Sequence, residues 1–210
     1  RFPFPVREIS VERPDWVTLP TTPIPTKTAG TLLSDGFEGS FPGSNWEVST
    51  GSGANPNPSD AYWAKSTYRK SAGNASIWCA GGGSASPAPG GNVPNNMTTW
   101  AITGPYDLNT ATSGTLQFDL WLETESSYDN FLWMFSTDGQ SFSGFVTSTS
   151  TGGFQTVPQD LADWGDAGSS LGNSQVWFAF LYTTDVSTTF EGAYIDQVSL
   201  TTSGGGGGSN

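Results

Sequence analysis

The chain has 210 residues, a net charge of −12, no histidine and one cysteine, Cys79. A lone cysteine excludes an intrachain disulfide. With histidine also absent, zinc sites of the usual kinds and serine or cysteine triads of the common type are excluded too. All seven basic residues lie at or before Lys70, so the remainder offers nothing to neutralise phosphates and a nucleic-acid partner is not expected.

No apolar run approaches the roughly 20 residues needed to span a bilayer. The chain begins at Arg1 without a Met or a signal-type segment, as expected of a mature or trimmed terminus. Low charge, Ser/Thr/Asn richness and two sequons, at Asn74 and Asn96, suggest an extracellular or cell-surface glycoprotein. The 9 Trp, 13 Phe and 6 Tyr can build a large core from few aliphatic residues, while abundant Gly and Pro disfavour helices.

Residues 1–30 form a distinct arm with six prolines, which enforce an extended path. One stretch within it, Val6 to Glu12, can form a strand, with Val6, Ile9 and Val11 as anchors. The arm reads either as a linker or as a strand donated to another subunit's sheet. It carries four basic and three acidic residues, net +1, against three basic and sixteen acidic in the remainder, net −13. A neighbour's acidic domain is therefore a ready target, through strand addition.

Residues 31–203 read as short strands separated by turn clusters such as Asn55-Pro56-Asn57-Pro58 and Asp138-Gly139. Candidates in order are 32–38, 46–50, 62–69, 76–80, 98–103, 114–125, 131–135, 153–157, 175–183 and 193–201. In 114–125, Leu116, Phe118, Leu120 and Leu122 alternate with polar residues, the mark of a half-buried strand. Segments 131–135 and 175–183 are apolar on both faces, as expected of central strands. Together they predict an all-β, two-sheet antiparallel jelly-roll sandwich of about ten strands. Residues 204–210 are Gly-rich, a tail or linker by composition. Cys79, after Ile77 and Trp78, reads as a small buried hydrophobe.

An ordered series carries a family resemblance: Asp35-Gly36-Phe37-Glu38-Gly39, Phe41-Pro42-Gly43, Asn45-Trp46, Asn96 to Trp100, Gly104 to Leu108, Phe118 to Glu125, Tyr128-Asp129, Ser136 to Gly139 and Gly192 to Val198. It resembles the MAM-like, immune inhibitor A-type jelly-roll modules appended to secreted bacterial and archaeal peptidases. The resemblance covers residues 32–202 and implies adjacent first and last strands and a structural calcium ion. Its calcium acids would fall on Glu38 and Asp196, with Glu125 and Asp129 as further candidates. Strand parity independently points Asp196 toward an apolar face, where an unpaired carboxylate is costly. Calcium would offset that cost. So would protonation, or bonding to backbone, Lys65, Arg69 or Lys70.

Glu123 and Glu125 would lie about 7 Å apart on one strand face, within glycosidase range, but solvated acids at this spacing are common. Trp63, Trp121 and Trp164 are candidates for stacking on glycans, against a role in core or edge packing. Trp46, Trp100, Trp133 and Trp177 read as core. The favoured reading is a non-catalytic structural subunit that associates with copies of itself through the arm, in a filament if the contact does not close. The alternative is a carbohydrate-binding or adhesive accessory module.

Overall fold

The computed structural model describes residues 1–21, 29–51 and 57–204. Part of the arm (22–28), Asn55-Pro56 of one turn cluster and the tail from 205 lie outside the described residues. Twelve strands form two antiparallel sheets. They are β1 (Arg7–Glu12), β2 (Gly30–Asp35), β3 (Trp46–Thr50), β4 (Tyr62–Ser66), β5 (Ser76–Gly82), β6 (Thr98–Tyr106), β7 (Ala111–Glu123), β8 (Asn130–Ser136), β9 (Ser141–Thr147), β10 (Gln155–Asp160), β11 (Val176–Thr183) and β12 (Gly192–Gly204). One sheet runs β1-β9-β8-β11-β6-β3; the other runs β10-β7-β12-β5-β4, with β2 also paired to β12. Beside β7, β12 changes partner: Tyr194 and Ile195 face β5, and Val198 to Thr202 face β2. The switch falls at Gln197, whose φ of +49° marks an irregularity in the ladder.

Alternation sends Phe131, Trp133 and Phe135 of β8, and Phe178, Phe180 and Tyr182 of β11, into the core between the sheets. The intervening Leu132, Met134, Trp177, Ala179 and Leu181 form a second buried cluster on the outer face of the first sheet. Both strands are central, as their two apolar faces predict. The layer that covers their outer face is the arm.

The described part of the arm, residues 1–21, lies against its own sandwich. β1 pairs with β9 of its own chain, from Arg7 opposite Val146 to Glu12 opposite Ser141. Phe2 packs edge-on against Trp133, at 5.1 Å between ring centres. Val6 sits against the main core, and Ile9 and Val11 against the outer cluster. Residues 13–20 then cross that outer face. Arg13 Nε donates to the Gly139 carbonyl at 2.6 Å, the Trp177 indole N–H donates to the Pro20 carbonyl at 3.1 Å, and Thr18 N–H donates to Ser49 Oγ at 3.3 Å. Arg13 also caps the Val17 carbonyl, and Val17 is fully buried. The anchors therefore serve the molecule's own sheet, and the arm is a structural part of the sandwich.

Candidate functional site

The outer face of the second sheet carries a row of three aromatic side chains. Register brings Trp78 of β5, Tyr194 of β12 and Trp121 of β7 side by side. Trp78 and Tyr194 stack at 5.4 Å with nearly parallel planes, and Trp121 meets Tyr194 edge-on at 5.5 Å. The loop between β4 and β5 lies over this row. Its Arg69 guanidinium sits 3.8 Å from the centre of the Trp121 ring and 5.3 Å from that of Tyr68. Arg69 also forms a two-pronged bond to Glu191, at 2.6 and 2.7 Å, and the pairing raises the guanidinium pKa. Tyr68 is 52% exposed and Trp121 is half-buried.

The other two stacking candidates are core residues. Trp63 and Trp164 are buried, their indole N–H groups donating to the Thr99 carbonyl and to Ser170 Oγ. Trp46, Trp100, Trp133 and Trp177 are buried as expected. Cys79 is fully buried, and its sulfur accepts from the Ala193 N–H at 3.2 Å. Asn74 and Asn96 are both exposed.

The predicted calcium acids divide into two places. Asp196 is fully buried on the face with Tyr194, as parity requires, beside Asp119 of β7. Its carboxylate accepts from the N–H groups of Ser71 at 2.8 Å, Ala72 at 3.0 Å and Gln197 at 2.7 Å. Glu38 accepts from the Asn74 N–H at 2.7 Å, the Asn74 side-chain amide at 3.2 Å and the Ala75 N–H at 3.3 Å. Those bonds, led by the Asn74 amide, lower its pKa. Main-chain donors of the β4–β5 loop thus satisfy both carboxylates. This is the backbone alternative left open by the sequence, and the desolvation argument for a cation at Asp196 lapses. Among the described residues, the group of three acids whose carboxylate oxygens lie within 4.8 Å of one another includes neither Glu38 nor Asp196.

Glu125 and Asp129 do come together, in the connection between β7 and β8, and sequence reasoning missed their third member. Asp185, just beyond β11, offers a carboxylate oxygen that lies with one from each of the other two inside a 4.8 Å spread. The paired-acid geometry of Glu123 and Glu125 is absent, because β7 ends at Glu123 and Glu125 lies in the turn beyond.

No protein-family model matches the chain, and neither does any curated protein. Solved structures do. The K1 cleaved adhesin domain of Lys-gingipain from Porphyromonas gingivalis W83 superposes with a TM-score of 0.56 at 16% identity, covering 82% of this chain and 98% of that one. The K3 domain gives 0.54 at 14% identity, over 82% and 98%. TmCBM61, solved with β-1,4-galactotriose, gives 0.50 at 12% identity, over 80% and 94%. What is shared is the fold. At these identities, ligand and family are not transferred by the likeness. Among the described residues, no helix is long and apolar enough to cross a membrane.

Proposed function

We propose that this chain is a non-catalytic extracellular module that binds carbohydrate, with the Tyr68–Arg69–Trp121 surface as the contact. The observation that carries the reading is an exposed Tyr68 joined by one guanidinium to a half-buried Trp121. Sugar rings present an apolar C–H face and a rim of hydroxyls. Tyr68 offers an exposed ring to the first. Arg69, Lys70 and Asp119 offer donors and acceptors to the second. The resemblance to secreted accessory modules and the adhesin and galactotriose-bound neighbours support the same class. A filament subunit fed by a donated arm has less support, because the arm lies on its own sheet.

The test is a glycan array followed by calorimetry on the best ligand. Tyr68→Ala is the cleaner variant, since Trp121 also packs beneath Arg69. We expect Tyr68→Ala and Trp121→Ala each to weaken binding at least about tenfold, equivalent to 1.4 kcal/mol, with an unchanged circular dichroism spectrum. Retention on no glycan, or wild-type affinity in both variants, would reject the proposal.

A further inference from the structure

We infer that Glu125, Asp129 and Asp185 form a calcium site at the end of the sandwich, distinct from Glu38 and Asp196 and independent of the carbohydrate reading. Three elements converge there. Glu125 follows β7, Asp129 precedes β8, and Asp185 follows β11. Because β8 and β11 pair with Asn130 opposite Thr183, residues just beyond those two ends become neighbours. The Asp185 N–H donates to Asp129 Oδ1 at 3.0 Å, and the Asp129 N–H donates to the Glu125 carbonyl at 3.1 Å. Both turns are thereby fixed with their carboxylates facing one another.

Proximity of acids would not by itself indicate a ligand. The second observation is that Asp129 is fully buried while its Oδ2 has no hydrogen-bond partner. Glu125 Oε2 is likewise buried and unpartnered. More than nine-tenths of buried polar groups find partners, so two orphaned carboxylate oxygens in one cluster call for an occupant. Elsewhere in the chain such acids are satisfied: Asp196 by amides, Glu191 by Arg69. Arg7 reaches only Asn130 Oδ1, at 3.5 Å, and among the described residues no Lys or Arg forms an ion pair with the three acids.

An all-oxygen set of three carboxylates suits a hard cation. Two separate turns, β7–β8 and the one after β11, provide the adaptable geometry that calcium accepts and that magnesium, with its strict octahedron, does not. The expected dissociation constant is on the order of 0.1–1 mM, the range of extracellular calcium modules.

The experiment uses the full chain, stripped with chelator. Calcium chloride is titrated by calorimetry, thermal unfolding is followed with and without calcium, and terbium luminescence sensitised by nearby aromatic residues is recorded. We expect saturable one-to-one binding, a calcium-dependent rise in Tm, and terbium emission that calcium displaces. Asp129→Asn should abolish all three and, by removing a buried like charge, leave the calcium-free Tm unchanged or higher. If Asp129→Asn does not fold, Asp185→Asn and Glu125→Gln carry the test, each with at least about tenfold weaker binding. Glu38→Gln should leave calcium affinity unchanged. Absence of heat, Tm shift and terbium emission in the wild type would overturn the inference. So would full binding in all three acid variants, or a magnesium response equal to that of calcium.

Discussion

Val17→Ala tests whether the arm belongs to its own sandwich. Val17 is fully buried on the outer face of the first sheet, in a cluster with Trp100, Phe142 and Trp177. Truncation removes two methyl groups, about 1.6 kcal/mol at 0.8 per buried carbon. The unfilled cavity brings the cost to about 2.5 kcal/mol, because the sheet beneath cannot collapse into it. For a chain of this size that corresponds to a Tm lowered by about 5–10 °C. Urea unfolding, followed by tryptophan fluorescence, should show the same loss across a roughly hundredfold range of protein concentration, since an intrachain contact involves no association step. Two results would refute the reasoning. A cost below about 0.5 kcal/mol, the range of surface changes, would mean that Val17 is not in the core. A midpoint that rises with concentration would mean that the arm is exchanged between copies.

Two other perturbations follow from the packing. Arg69→Met leaves Glu191, whose side chain is 5% exposed, without its cation. The expected loss is about 3 kcal/mol by urea titration, at the low end for a buried pair because Arg69 is one-third exposed, and Glu191→Gln should restore part of it; a cost below about 1 kcal/mol would count against the pairing. Cys79 should resist iodoacetamide at pH 8 in the native protein and react fully in denaturant, because burial pushes its thiol well above the usual range. Mass spectrometry reads both states, and native labelling at the denatured rate would contradict the burial.

Two-faced apolarity in β8 and β11 was legible in the sequence, and it already required a covering layer on both sides. What covers the second face was not legible, because the arm's prolines and charge set it apart from the strand pattern. β9, the strand that receives β1, escaped the sequence reading for a local reason. Its Ser141-Phe142-Ser143-Gly144 start offers one apolar side chain in four residues, and Gly144 is there because a side chain would run into the Trp133 carbonyl. Parity put Asp196 on an apolar face with Tyr194, and the residue is buried there beside Asp119. It could not separate Trp63 and Trp164 from exposed aromatics, because proximity to a loop in sequence says little about burial. Asp185 carried one usable signal. Once β8 is paired antiparallel to β11, the acids that flank those strands must approach, but the pairing register is a product of the fold.

The charge distribution links the two sites. With no Lys or Arg after Lys70, buried acids in the second half of the chain must take partners from the first half or from amides. The β4–β5 loop meets this need over a short span. Arg69 holds Glu191, the Ser71 hydroxyl holds Asp119, amides of Ser71 and Ala72 hold Asp196, and those of Asn74 and Ala75 hold Glu38. A loop secured by four carboxylates presents Tyr68 on a rigid base, which lowers the conformational entropy lost when a ligand binds. The β7–β8 connection carries no Lys or Arg. Its acids keep two buried oxygens unpartnered, so the same shortage of basic residues that fixes the β4–β5 loop as a platform leaves this connection poised for a metal ion.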